Sequence, residues 1–293
     1  MRVLVTGASG YVGSYVVQNL LSSGHEVISL SRQNLQHKAV KNLVLDLSKL
    51  QSINVICDVV ERCDAIIHAA AAITHENWQN ELTDVNCHGT QAIAHLAAHW
   101  KISRFIYLSS ISVIGAPKNI PIDELHPIEP SSVYSASKIF GEYVTHVLHK
   151  TTGIPSVSLR LTSPVGPSAP QKRIFSTFVS NALRGESLKL IGQGGRCQNY
   201  VDVRDIANLI GKNLDSSVSG VINVGGRKSI SNIALAKLCI STLSSSSRIE
   251  FLDRSDPEEN LQWDISIEKA GQMMGYAPHF SLSESILAAA ESL

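Results

Sequence analysis

The sequence predicts an α/β chain built on a doubly wound parallel sheet, with a smaller, discontinuous C-terminal α/β lobe. Three observations carry that prediction. Short apolar runs recur along the first 226 residues with helical stretches between them, and strands that alternate with helices at this period form a parallel sheet under two helical layers. The first run, RVLVTG, is continuously apolar and β-branched, as in a strand buried on both faces. From residue 163 the alternation gives way to a segment rich in Pro and Ser.

The elements follow in order. RVLVTG (2–7) is a strand. YVGSYVVQNLLSSG (11–24) has helical spacing and ends at Gly24, a C-cap. HEVISLSR (25–32), KNLVLDL (41–47), CDAIIHAAA (63–71) and SRFIYLSS (103–110) continue the strands. DVNCHGTQAIAHLAAHW (84–100) is a helix with Ile93, Leu96, Ala97 and Trp100 on its apolar side. PSSVYSASKIFGEYVTHVLHKTTG (130–153) is a long helix, capped by Ser131 or Ser132 and closed at Gly153. PSVSLRL (155–161) is the sixth strand. TSPVGPSAPQKR (162–173) reads as a loop and IFSTFVSNALRG (174–185) as a helix. A glycine-rich stretch, IGQGGRCQN (191–199), precedes a helix at 201–214 and a strand, GVINVGG (220–226). The tail mixes short helices with a serine run at 244–247. No internal repeat is present. These boundaries divide the chain into a dinucleotide-binding domain, 1–162 plus 200–226, and a substrate-binding lobe, 163–199 plus 227–293.

Composition narrows the function. Lys plus Arg (25) balances Asp plus Glu (25) over 293 residues, so no basic surface is expected to attract nucleic acid or anionic lipid. Cys57, Cys63, Cys87, Cys197 and Cys239 are odd in number and contain no CxxC pair. They read as reduced thiols of a cytoplasmic protein, with neither a disulfide frame nor a metal site. The chain opens directly on a strand, without a cleavable signal, and no apolar run reaches the length of a membrane span.

TGASGYVG places Gly7, Gly10 and Gly13 between the first strand and the first helix. Gly7 permits a tight turn, Gly10 lets a pyrophosphate approach the backbone, and Gly13 lets the helix pack closely on the sheet. Unpaired amides and the dipole at the helix start then face the phosphates. The plain alternative is a tight turn with no ligand. An acidic residue commonly ends the second strand of such a site and binds the ribose 2′-hydroxyl. Here Ser31 and Arg32 hold that place, with no carboxylate expected nearby, so the sequence favours NADP over NAD. The alternative for Arg32 is a solvated loop cation. Asp46 and Leu47, at the end of the third strand, are placed to meet the adenine.

YSASK puts Tyr134 and Lys138 four residues apart on one helix face. A lysine cation and an oxidised nicotinamide would together lower the pKa of the phenol. Tyr134 could then exchange a proton with a substrate hydroxyl while hydride moves to or from the nicotinamide, and Lys138 could also hold the nicotinamide ribose. Ser110 ends a strand at the edge where α/β ligand crevices form, placed to bond the substrate oxygen. Taken singly, the pair is a helix surface and the serine a strand end. With the glycine loop upstream, the functional reading dominates.

These residues resemble the extended short-chain dehydrogenase/reductases, the NAD(P)-dependent epimerase/dehydratase group. The resemblance covers almost the whole chain: TGASGYVG, HAAA (68–71), VNCHGT (85–90), YLSSISVIG (107–115), YSASK, LRLTSPVGP (159–167), YVDVRDIA (200–207), NVGG (223–226) and WDISIEKAGQMMGYAP (263–278). It implies a Rossmann-type fold and a catalytic trio of Ser110, Tyr134 and Lys138. It also implies cofactor contacts along the glycine loop, from Gly7 and Ser9 through Gly10, Tyr11, Val12 and Gly13, and around Ala69, Ala70 and Ala71. Asn86 would be structural or support the site. A homodimer would pack the helices 84–100 and 134–150 of each subunit into a four-helix bundle.

Departures from the family pattern bear on substrate. The dehydratases of the family carry Asp-Glu after the catalytic hydroxyl residue, where this chain has Ile111 and Ser112, so dehydration is discounted. No cysteine of the kind that serves GDP-fucose synthases in epimerisation stands in this region. Many sugar-nucleotide members have Asn at the place of Ser163 and Arg at that of Gln198. Arg196, Lys172 or Arg173 could substitute for the missing charge, or be solvated loop cations. His75, beyond the fourth strand, is assigned no role. The expected function is an NAD(P)-dependent epimerase or ketoreductase acting on a carbinol or ketone carbon of a sugar or sugar nucleotide. The alternative is a non-catalytic NADP-binding sensor or scaffold.

Overall fold

The computed structural model describes residues 1–50, 52–74 and 79–293, so His75 lies outside the described residues. β1 (Arg2–Thr6) leads through α1 (Tyr11–Ser22) to β2 (Glu26–Ser31) and β3 (Val40–Val44). A short α2 (Asn54–Cys57) precedes β4 (Ala65–His68). Next come α3 (Asn80–Thr83), a π-helical turn (Asp84–Gly89), α4 (Thr90–Trp100) and β5 (Arg104–Ser110). The long α5 (Val133–Thr152) connects to β6 (Ser156–Leu161) and β7 (Ser163–Val165). The rest of the chain runs α6 (Ile174–Arg184), β8 (Leu188–Ile191), β9 (Cys197–Asp202), α7 (Val203–Lys212), β10 (Gly220–Val224) and β11 (Ser229–Ser231). It ends with α8 (Asn232–Thr242), β12 (Ile249–Leu252), α9 (Glu268–Met274) and α10 (Leu282–Glu291).

The central sheet has seven strands in the order β10-β6-β5-β4-β1-β2-β3, all paired in parallel. This is the doubly wound α/β fold that the alternation predicts. Because side chains alternate across a strand, Val3 and Val5 join one core with Val27, Ile67, Ile106 and the α1 residues Val16, Val17 and Leu20. Leu4, Ile28, Ile66 and Phe105 point the other way, into a core shared with Ile93, Leu96 and Ala97 of α4. Chain order along the sheet reverses between β1 and β4, and a crevice opens there beyond the carboxyl ends of the strands.

A third core gathers Phe175, Phe178 and Val179 of α6, Leu188 and Leu190 of β8, Leu235 of α8 and Ile286 of α10. Beside it lie a three-stranded sheet, β11-β9-β7, and a two-stranded one, β12-β8.

Several sequence boundaries shift. The helix expected at 201–214 begins at Val203, because Asp202 ends β9 and its carboxylate caps the new helix by accepting from the Arg204 amide at 2.9 Å. β7 lies inside the segment read as a Pro/Ser loop, and β9 runs from the glycine-rich stretch into the first two residues of the expected helix. The helix expected from 84 starts at Asn80 and carries the π turn. The strand expected at 63–71 closes at His68, and Ala69–Ala71 continue as irregular backbone along the crevice. Ser132, not Ser131, caps α5, and Gly153 closes it at φ 74°.

Candidate active site

The glycine loop is shaped by backbone approach. Gly7 is left-handed at φ 65°, and a Cβ there would stand 2.7 Å from the Ala70 backbone. A Cβ on Gly13 would collide with the Gly7 carbonyl. α1 starts after Gly10 with no side-chain cap and no acidic residue in its first turn. Its leading amides and the positive end of its dipole therefore face the crevice. Two cavities meet at this loop. One of about 660 Å³ runs from Gly7, Gly10, Tyr11, Val12 and Gly13 past Ala69 and Ala71 to Ser110, Tyr134 and Lys138. One of about 150 Å³ runs the other way, past Ser9, Ser31, Arg32, Asp46, Leu47 and Ala70. Uncapped amides at the junction and one chamber on each side fit a dinucleotide: pyrophosphate at the loop, adenosine in the smaller chamber, nicotinamide in the larger.

The smaller chamber corrects one expectation. Arg32 does not face a carboxylate-free rim: its Nη1 pairs with Glu81 Oε1 at 3.0 Å. Glu81 arrives because the helix begins a turn earlier than its sequence suggests, and α3 folds back over the adenosine side. The Asp46 carboxyl is held below its usual range, first by the Ser48 hydroxyl that donates to it at 2.8 Å.

His68, last in β4, is buried between two threonines. Its Nδ1 is 2.6 Å from Thr6 Oγ1 and its Nε2 2.9 Å from Thr90 Oγ1. Thr6 Oγ1 also accepts from the Ala70 amide at 3.1 Å. Burial, with Lys138 adding to it, pulls the imidazole down to about 3, so this neutral ring ties β1 to α4 beneath the glycine loop. Asn86, fully buried in the π turn, accepts from the Ala72 amide at 2.7 Å and donates to Ser137 Oγ at 3.0 Å. Ser137 in turn donates to the Tyr134 carbonyl at 2.7 Å. Asn86 thus fixes the loop after β4 to the first turn of α5.

Ser110, Tyr134 and Lys138 come together on the floor of the larger cavity. Lys138 is 3% exposed; its ammonium donates to the Leu108 carbonyl at 2.8 Å and sits 5.8 Å from the Tyr134 ring centre. Burial draws its pKa down to about 8, against the nearby Glu142 carboxylate. The Tyr134 phenol runs opposite to the sequence expectation. Burial raises its pKa, and the opposing influences are Arg173 and a hydrogen bond from Ser110. Withdrawal of the ring from water outweighs Arg173 and that hydrogen bond. Beneath Lys138, Glu142 takes a bidentate pair from Arg160 at 2.9 Å for each bond and accepts from Ser109 Oγ at 2.6 Å.

The cavity is also lined by Ile73, Trp263, Ile265 and Ser135, which the sequence did not flag, together with Ser112 and Ser132. Ser163, Gln198, Arg173 and Arg196 also reach it, whereas Lys172 does not. Arg196 is paired with Glu258. Trp263 and Ile265 are carried in by a C-terminal segment that bridges Ile122 to Ile265 and Cys197 to Gln262; only an aromatic in a family-like tail motif could have signalled this.

Comparison with known proteins agrees with this geometry. A family model described as the NAD dependent epimerase/dehydratase family matches residues 3–225. A dTDP-glucose 4,6-dehydratase of Streptomyces niveus is 25% identical over 99% of this chain and 92% of its own length. A UDP-glucuronic acid decarboxylase of Danio rerio is 27% identical over 97% of this chain and 71% of its own length. The crystal structure of UDP-glucuronic acid 4-epimerase from Bacillus cereus, in complex with UDP-glucuronic acid and NAD, superposes with a TM-score of 0.86 at 25% identity, covering 100% of this chain and 98% of that one.

Proposed function

Since the chain belongs to the NAD-dependent epimerase/dehydratase family, we propose that it is an NAD(P)-dependent oxidoreductase or epimerase acting at a carbinol or ketone carbon of a sugar nucleotide. One observation carries the reading: Ser110, Tyr134 and Lys138 share the floor of a cavity that opens from an uncapped glycine-loop helix. A bound nicotinamide would supply the hydride donor or acceptor. Tyr134 gives a proton to the substrate oxygen in the reducing direction and takes it in the oxidising one. Ser110 holds that oxygen, and the Lys138 ammonium stabilises the phenolate form of Tyr134. The substrate's distal end falls to the lobe 163–199 plus 227–293, where Arg173, and Arg196 once it releases Glu258, could meet a diphosphate.

The finer assignments are these. We place NADP ahead of NAD: Ser31 and Arg32 supply a hydroxyl and a guanidinium for a 2′-phosphate, once Arg32 exchanges Glu81 for it. Elimination of water is discounted, because Ile111 and Ser112 place no carboxyl pair beside Ser110. A cytoplasmic homodimer is the proposed state, packed through the outer faces of α4 and α5; among the described residues no helix is long and apolar enough to cross a membrane.

The test combines binding and turnover. Thermal shift with NADPH and NADH ranks the cofactors, since a ligand specific to the folded chain raises its midpoint. UDP-glucose and UDP-glucuronic acid are then assayed for isomerised sugar and for net change in reduced cofactor. Tyr134→Phe should lower turnover by about 10²–10⁴-fold with cofactor binding retained. Wild-type turnover in that variant would sink the role given to Tyr134, and cofactor binding without any turnover by the wild-type chain would favour a binding-only protein.

A further inference from the structure

Four serine hydroxyls form a line from the Tyr134 phenol to the cavity rim. Ser110 hydrogen-bonds the phenol. Ser112 Oγ lies 2.9 Å from Ser110 Oγ, Ser135 Oγ donates to Ser112 Oγ at 3.1 Å, and Ser132 Oγ lies 3.0 Å from Ser135 Oγ. Ser135 is buried in the middle, while Ser132 is half-buried next to the exposed Ser131. All five serines line the cavity.

The backbone gives this line a direction. Ser132 Oγ accepts from the Ser135 amide at 3.1 Å, and Ser110 Oγ accepts from the Ser112 amide at 3.2 Å. Each of those hydroxyls therefore has its own hydrogen free to donate onward. Ser135 donates to Ser112, so it must receive from Ser132; Ser110 donates to Tyr134, so it must receive from Ser112. Every hydrogen then points toward Tyr134. Hydroxyl chains polarise one another when aligned in this way.

We propose that Ser132, Ser135 and Ser112 form a proton relay that recharges Tyr134 through Ser110 from solvent at the cavity rim. The inference rests on the reading of Tyr134 as the proton donor. When the phenol has given its proton to a substrate oxygen, the Ser110 O–H bond breaks as a new Tyr134 O–H bond forms. Ser112 replaces the proton of Ser110, Ser135 that of Ser112, and Ser132 that of Ser135. A hydronium ion or buffer acid at the rim replaces the last. One proton enters, one leaves, and no electrons move. Such a path serves a net carbonyl reduction, which consumes a solvent proton each turnover. An epimerisation that returns the same proton to the same oxygen has no use for it. Ser112, Ser135 and Ser132 act through another group and are positioning residues.

The experiment is a stopped-flow pH jump on the NAD-saturated protein, following the ultraviolet band of the phenolate. Loss of the band in Tyr134→Phe assigns it. Ser112→Ala and Ser135→Ala should each slow its relaxation about tenfold, with the solvent deuterium effect changed, and Ser112→Thr, which keeps the hydroxyl, should restore the rate. Near-ultraviolet circular dichroism checks that the variants stay folded. A band that survives in Tyr134→Phe overturns the reading of Tyr134 and the relay with it. A band lost in Tyr134→Phe, but relaxing at the wild-type rate in Ser112→Ala, overturns the relay alone.

Discussion

At the scale of single residues, the decisive balance is between burial and charge around Lys138. Its ammonium is ordinary near 10.5 in water, and burial brings it down to about 8. On the proposed reading, the charged form stabilises a phenolate at Tyr134. In the reducing direction kcat/KM should therefore fall about tenfold per pH unit above that value, and a pH profile flat through this range would refute the assignment. Stability runs the other way. Between about 8 and 10.5 the unfolded chain holds a proton that the folded chain has released, so denaturation midpoints should rise with pH across that window. That Tyr134, Lys138 and Ser110 line one cavity is legible in the sequence because it follows from local position: four residues along a helix, or the last place of a strand. Glu81 opposite Arg32 is not, nor is the link from Ser112 to Ser135, 23 residues away. Those pairs exist only after helices have packed, and no local pattern encodes them.

Among the elements, α5 is the one on which the candidate site depends. Its first turn carries the cap and the phenol, its second the ammonium, and its third the buried Glu142. Arg160, 2% exposed on β6, has Glu142 as its only ion-pair partner among the described residues. Glu142→Gln leaves that guanidinium uncompensated in the interior and should cost about 3–5 kcal/mol in chemical denaturation. The same change removes the carboxylate that holds up the Lys138 pKa, so the alkaline limb of the pH profile should move below about 8. A variant as stable as the wild type would show that the pair is not doing this work. β1, β4 and β5 of the large sheet were readable because both their faces are buried and their runs are largely apolar. β7 and β11, three residues each, lie in polar or Pro-rich segments and take their conformation from β9 between them, so pairing rather than propensity makes them strands.

For the molecule as a whole, α5 also presents an exposed outer stripe. Tyr143 is 66% exposed, in line with the exposed Phe140 and Val147. If two copies pack there, the wild type should sediment as a dimer and Tyr143→Glu as a monomer, since the interface would bury two carboxylates without partners. A monomeric wild type would leave the stripe as plain surface. The general architecture was accessible from the alternation of runs, because a parallel sheet imposes it on the whole chain. The composition of the cavity's wall was not, because that wall is assembled from loops more than 100 residues apart. Trp263 stands in it. Indole emission overlaps the absorption of a reduced nicotinamide, and the ring shares a chamber with the place where one would bind. Resonance energy transfer should then dim its fluorescence whenever the reduced coenzyme enters, so the protein carries a built-in optical gauge of its own occupancy.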